Sequence, residues 1–395
     1  MTPRKKLLIY KILLFLFAFI VAFIPGTVSR NMEVNSRVIV EMIGIDQGEE
    51  VEVTAQYVMP LEKEGTSKDV VTVKGSTLTE AVETLNTALG RRAELGHCSI
   101  VIVGKSVKPQ LLGTLMTVTD VTADVYLAAA QDKASELVSD ITEFMKKTGA
   151  TDADFIAYSA KKAHVATTTL LNFLSDIGGA SHTAFMPVVE TLEKPDGSGG
   201  GGQSGGQGGG ESASGQSGGG QSGGGAEEAP IGMKVENLAL YAENGRAGII
   251  DRSSARGVAW VSAPIEKGIV VADVQYDGNI IKDVSGRLIK KKAKIKIDAA
   301  NNKATIKVNA TIEPNGDKFN ELDAENSDAA RKAIKGAFEN SIRNEILKAY
   351  YDAAEYDCDP LFLGRQFYRY APDEFDPDYS VDDIIVDAQV NVSLK

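Results

Sequence analysis

The sequence predicts an α+β protein: an N-terminal membrane-anchor helix followed by three mixed α/β domains, with a disordered tether between the first and second. Three observations carry that expectation. Stretches of period-two alternation are interspersed with stretches of helical period. Residues from about 196 to 226 are nearly all Gly, Ser and Gln, and the first thirty residues hold one long apolar run behind a basic cluster. The expected units are 1–30 (anchor or signal peptide), 33–194, a linker over 195–230, then 231–292 and 293–395. A chain of 395 residues is too long for one small core and suits two or three domains.

Arg4, Lys5 and Lys6 precede the apolar run, which contains Leu7, Leu8, Ile12, Leu13, Leu14, Phe15, Phe17, Phe19, Ile20, Val21, Phe23 and Ile24. Only Tyr10 and Lys11 interrupt it. Burial of such a run in hydrocarbon is favourable, and the basic flank stays cytoplasmic, which puts the body of the chain on the far side. The run is short for a span, so a cleaved secretory peptide is the competing reading. Ile24-Pro25-Gly26-Thr27-Val28-Ser29 makes a poor cleavage site, which favours a retained anchor.

In the unit 33–194, Val38–Ile45 and the alternating Val51, Val53, Ala55 and Tyr57 read as a hairpin turning at Gly44–Glu49. Thr77 and Glu80 form a capping-box pair. The helix they open carries Leu78, Ala81, Val82, Leu85 and Leu89 on one face and stops at Gly90. Strands follow at Ser99–Val103 and Ala123–Ala130, helices at 133–147 and 152–175, and a last strand at Ala184–Leu192. The Gly/Ser/Gln tract has almost no apolar surface to offset the entropy of ordering it. At about 5–6 Å × √n its reach is roughly 30 Å. Beyond it, Val235–Tyr241 and Ala247–Ile250 flank an Asn244-Gly245 turn. A helix over Ser253–Trp260 and a strand over Gly268–Tyr276 come next. Lys294–Ile297 and Thr305–Val308 alternate around Asn301-Asn302. A long helix over Ala324–Tyr356 and a closing strand over Asp382–Leu394 complete a small α+β unit.

The net charge of −12 argues against a nucleic-acid binder, which needs a positive field. Two cysteines, Cys98 and Cys358, rule out a thiolate cluster; outside the cytoplasm they could pair, but they sit in different expected domains, and two separate buried thiols are the expectation. His97, His164 and His182 show no metal-ligand spacing, so neither a metal nor a cofactor is expected. Gly215–Gly219 matches G-x-S-x-G inside the tether, where no strand or helix frames it. Gly104-Lys105-Ser106 ends like a P-loop but has Ser99 where the first glycine is required. The acidic tract Asp373–Asp378 lacks the glycine and terminal glutamate of a calcium loop. No nucleophile, base and orienting group assemble. The candidate partner-contact residues are Arg91, Arg92 and His97, between a helix and a strand, where two guanidinium groups could hold an acidic partner. The plainer reading is a turn with both arginines solvated or paired to Glu94. Trp260 is a candidate interface anchor, or else a core residue.

Gly44-Ile45-Asp46-Gln47-Gly48 and the stretch Leu89–Gly104 resemble the C subunit of bacterial spore germinant receptors, the Ger(x)C family. Asn237–Tyr241, Arg256–Trp260 and above all Asp359-Pro360-Leu361-Phe362-Leu363-Gly364-Arg365-Gln366-Phe367-Tyr368-Arg369 extend the resemblance in the family's order. The resemblance implies a three-domain α+β protein on the outer face of the spore inner membrane. It would act without catalysis beside two membrane-embedded partners, the A and B subunits, to start germination in response to nutrients. Two departures stand out: no lipobox cysteine follows the apolar run, so anchoring falls to the helix, and the long tether is unusual. A stand-alone anchored module binding a small molecule or cell-wall fragment is the alternative, and a cell-envelope hydrolase is a distant third.

Overall fold

The computed structural model describes residues 37–60, 66–149, 165–192, 232–263, 268–316, 327–376 and 379–395, with a few isolated positions between them. The expected hairpin forms as β1 (Arg37–Gln47) and β2 (Val51–Pro60). Its ladder runs on through Ile45↔Val53 to Gln47↔Val51, so the turn falls at 48–50 and not at Gly44. β3 (Thr66–Gly75) pairs along the whole of β2 and was not anticipated. As the outermost strand it keeps Lys68, Asp69 and Lys74, which blur its apolar alternation.

Helix α1 (Leu78–Leu89) has the expected cap: Thr77 Oγ1 accepts from Glu80 N at 3.2 Å, and Gly90 ends the helix at φ 61°. The return bond differs from the expected box. Glu80's carboxylate accepts from Ser76 N at 2.8 Å, one residue further back, and its hydrogen bonds to Ser76 hold it below the usual carboxylate range. β4 (Arg92–Glu94) lies beside β1, and β5 (Ile100–Val103) and β6 (Tyr126–Ala130) extend the sheet in parallel. Between them runs α2 (Pro109–Val118), also unanticipated; Thr114 and Thr117 dilute its helical signal, and only Pro109, Leu112 and Leu115 are buried. α3 (Ala134–Thr148) follows as expected.

The helix expected over 152–175 is shorter where it is described. Val165–Thr169 is non-helical, β7 (Thr168–Thr169) pairs with β6, and α4 spans Leu170–Ile177. The threonine run explains the late start: its β-branched residues disfavour helix, and Thr169 Oγ1 accepts from Asn172 N at 3.4 Å as a cap. Most of 150–164, including His164, lies outside the described residues.

β8 (Ala184–Leu192) lies parallel to β6, and here the chain departs most from its sequence reading. β9 (Gly232–Ala242), on the other side of the tether, pairs antiparallel with β8 from Leu192↔Gly232 to Ala184↔Tyr241. β10 (Gly245–Ile250) pairs with β9. One sheet, ordered β10-β9-β8-β6-β5-β1-β2-β3, thus incorporates strands from both sides of the connection. The tether joins neighbouring strands of a single ladder, so its composition does not set the spacing of what it connects.

The second sheet is ordered β11 (Ile269–Tyr276), β12 (Asn279–Asp298), β13 (Lys303–Asn315), β14 (Ile385–Leu394). The stretch expected at 231–292 therefore divides between the two sheets. β14 closes the sheet parallel to β13, across the long helix α6 (Asp328–Ala354). α5 (Arg252–Ser262) and α7 (Leu363–Tyr370) complete this half.

Two apolar clusters form the core. One lies between the first sheet and helices α1, α2 and α4, with Ile43, Leu85, Val101, Leu115 and Phe173. The other begins on the opposite face under α3 and runs without a break through α5 into the second sheet, with Ile102, Val138, Trp260, Ile306, Phe338 and Ile346. β9 is covered on both faces: Leu238 and Leu240 face one cluster, Ala239 and Tyr241 the other. Apart from Leu14, the anchor segment Leu7–Ile24 lies outside the described residues; among those described, no helix is long and apolar enough to cross a membrane.

Because loop-closure entropy grows only logarithmically, removing residues 200–225 is expected to stabilise the fold by about 1 kcal/mol. The urea midpoint of the detergent-solubilised chain checks this; a large loss of stability would show that the tract does more than close a ladder.

Candidate functional site

The most heavily built region joins the two sheets. It starts at Asp251, whose Oδ1 accepts from Ser254 N at 3.0 Å and caps α5. At Gly257, α5 crosses α6 so closely that a Cβ would overlap the carbonyl oxygen of Glu345 and press on Ala349. From α5, the adjacent Arg256 and, one turn further on, Trp260 converge on the Glu345 carboxylate. Arg256 Nη2 lies 3.3 Å from Oε1, and Trp260 Nε1 donates to Oε2 at 2.7 Å. Glu345 is 8% exposed, and burial raises its pKa, opposed by the attraction of Arg256. Burial likewise lowers the pKa of Arg256. From β12, Lys291 Nζ reaches the end of α5 and donates to Trp260 O at 2.7 Å; burial pulls its amine down to about 7.

A second carboxylate ties the turn after α6 to the loop before β8. Asp359, 1% exposed, accepts at Oδ2 from Ser181 Oγ (2.8 Å), Gly364 N (2.8 Å) and Tyr379 OH (2.9 Å). Its backbone N–H donates to Thr183 Oγ1 at 2.9 Å. Ser181 Oγ also accepts from Arg365 N at 3.0 Å, and Arg365 Nη1 bonds Asp176 Oδ1 at 2.9 Å. Arg365's guanidinium stacks 4.0 Å from the centre of the Phe362 ring, and Phe362 holds a left-handed φ of 57°. Gly364 is required because a methyl there would overlap Tyr379. Burial raises the Asp359 pKa against the pull of its donors, and pushes the neighbouring Cys358 thiol up to about 12. Cys358 and Cys98 are both buried and free.

This geometry fastens the two sheets to each other. Ser181 touches a carboxylate, but its hydroxyl is engaged on both sides, and the imidazole of the next residue, His182, lies 3.4 Å from Glu243 instead. No cluster of three or more His, Cys, Asp or Glu suited to a metal occurs among those residues.

The residues singled out from the sequence fall into two places. Arg91, Arg92 and His97 are exposed along one short segment, at the bend before β4, on β4 itself and at the end of the 3-10 turn that follows; Asn86 and Asp120 hold it by accepting from Ala93 N (2.8 Å) and Leu95 N (3.1 Å). Glu94 is engaged by Arg37 at 2.6 Å, not by either arginine. Trp260 does not join them: at 0% exposure it has no surface to offer a partner, and it belongs to the core that spans the two sheets. Ser181, Thr183, Glu345 and Tyr379 were not picked out. Glu345 had a signal, an acid set among Ile342, Ile346 and Ala349 on the apolar stripe of its helix. The others come together only through long-range folding.

Two family models match the chain in succession. The spore germination protein N-terminal domain covers residues 30–191, and the spore germination B3/GerAC-like C-terminal domain covers 236–395. The chain belongs to the GerAC-like family, the C subunits of spore germinant receptors. Among solved structures, the crystal structure of the GerBC protein matches at 13% identity with a TM-score of 0.47, over 89% of this chain and 96% of that one. No curated protein matches in sequence. The motifs of this GerAC-like chain that carried the resemblance now have physical roles. Arg256–Trp260 is the helix crossing, and Asp359–Arg369 is the carboxylate latch.

Asp359→Ala leaves Ser181, Gly364 and Tyr379 with unpaired buried donors and is expected to cost about 3 kcal/mol or more. Gly257→Val, which forces α5 off α6, is expected to cost about 3 kcal/mol. Urea unfolding followed by circular dichroism measures both; unchanged midpoints would remove these groups from the fastening.

Proposed function

We propose that this chain is the non-catalytic, membrane-anchored C subunit of a nutrient germinant receptor. It would sit on the extracytoplasmic face of the spore inner membrane and trigger germination through contacts with membrane-embedded A and B subunits. The observation that carries the reading is the succession of the two family models, which together span most of the chain on both sides of the tether. The basic-then-apolar N-terminus supports the anchoring. The buried fastening supports a mechanical role: with α5, α6 and the Asp359 latch joining the sheets, a push on one half moves the other. The exposed segment carrying Arg91, Arg92 and His97 is the contact region we assign, its two guanidinium groups suited to an acidic surface on a partner.

Affinity capture of the tagged full-length chain from detergent-solubilised spore membranes is expected to recover a multi-spanning transporter-like protein and a second membrane subunit. Arg91→Glu with Arg92→Glu is expected to reduce that recovery at least tenfold while leaving the unfolding midpoint in place. Capture of the chain alone would favour a solitary binding module, and full recovery by the double variant would move the contact elsewhere.

A further inference from the structure

β12 is a 20-residue strand with neighbours on both sides along only part of its length. β13 pairs with it from Ser285↔Asn315 to Asp298↔Lys303. β11 pairs with it only from Tyr276↔Asn279 to Ile269↔Arg287, followed by one bond from Leu288 N to Gly268 O at 2.8 Å. Residues 289–298 therefore carry a strand edge with no backbone partner among the described residues, roughly 30 Å long at ~3.4 Å per residue.

The two faces along that edge have opposite character. One presents Lys290, Lys292, Lys294 and Lys296, all exposed, with Lys307 opposite Lys294 on β13. The other presents Ala293, Ile295 and Ile297, with Lys291 turned to the end of α5, along an open groove of about 670 Å³ that Lys294 and Lys296 also border and whose far wall includes Val261, Gln366 and Tyr370. Among the described residues no carboxylate pairs with any of these lysines, although the chain carries a net charge of −12.

We propose that the open edge of β12 docks an extended segment of another protein in which acidic residues alternate with apolar ones. Such a segment adds a strand to the second sheet by bonding to the backbone of 289–298. Its period of two sends apolar side chains into the groove and carboxylates over the lysine row. A second copy of this chain does not fit, because pairing β12 with β12 brings the lysine rows together, and like charges across a ladder repel. Lysines near an edge also deter indiscriminate pairing, and the charge that turns away basic or purely apolar strands admits an acidic one. The inference goes beyond the receptor reading and does not depend on it.

The test titrates the full-length chain in detergent with a labelled ten-residue peptide alternating Glu and Val. A peptide of the same composition with every Glu at one end is the control. The alternating peptide is expected to bind saturably and to protect the amides of 289–298 from hydrogen exchange. Binding is expected to weaken at least tenfold in Lys292→Glu/Lys294→Glu/Lys296→Glu and, separately, in Ala293→Asp, which leaves the lysines in place. Both variants are first checked for an unchanged unfolding midpoint. No saturable binding, equal binding of the control peptide, or binding without protection of 289–298 would overturn the proposal. So would lysine-dependent binding to phosphatidylglycerol vesicles without peptide binding, which would make the row a membrane-facing patch. Peptide binding that emerges only after deletion of residues 200–228 would make the chain's own Glu227-Glu228 stretch the occupant, and would equally overturn the assignment to another protein.

Discussion

The ladder between β8 and β9 is the constraint on which the arrangement of this protein depends. Backbone from before residue 193 and from after residue 231 pairs from Leu192↔Gly232 to Ala184↔Tyr241, and the first sheet is incomplete without both. Once β9 is seated, β10 and α5 must follow at the sheet's end, and α5 brings the second half of the chain with it. A long connection tolerates this because its closure cost rises only with the logarithm of its length, whereas the ladder gains a bond pattern and two buried faces. The order of the two halves is therefore written in backbone hydrogen bonds and not in the connection between them.

Two buried carboxylates then hold that arrangement. Glu345 and Asp359 are expensive to desolvate, and each is compensated by donors from a distant part of the chain. Apolar contact alone would allow the helices to slide, because hydrophobic burial is non-directional. A carboxylate that must meet an indole N–H and a guanidinium, or a serine, a tyrosine and a backbone amide, accepts one register only. The glycines at 257 and 364 belong to the same constraint, since each removes the one methyl that would keep the bonding groups apart.

Charge is distributed by a similar division of labour. The chain carries an acidic excess, and surface pairs such as Arg37–Glu94 and Lys234–Glu190 contribute little individually. Lys290, Lys292, Lys294 and Lys296, without a carboxylate partner among the described residues, stand out against that background because they line a strand edge and not a solvated helix face.

By itself the sequence determined what depends on short-range pattern. The β1–β2 hairpin, α1 with its Thr77 cap and Gly90 stop, β5, α3, β8, the hairpin of β9 and β10, α5, the helix α6 and the closing strand are legible from period, caps and turn residues within about a dozen positions. β3 and α2 escaped because polar residues dilute their periodicity, and of β12 only Lys294–Ile297, where Lys and Ile alternate strictly, was legible. Exposure of Arg91, Arg92 and His97 was legible in the sequence, though not the strand β4 between them, and whether Trp260 faced a partner or the core was not, since a ring on an amphipathic helix suits either. Only the tertiary structure decided that Trp260 answers Glu345, that Asp359 gathers Ser181 and Tyr379, and that the tether closes a ladder instead of separating two bodies. The reason is physical: local pattern fixes which face of an element is apolar, whereas the partner of a buried polar group or of an edge strand is chosen by long-range packing, which no short window of sequence contains.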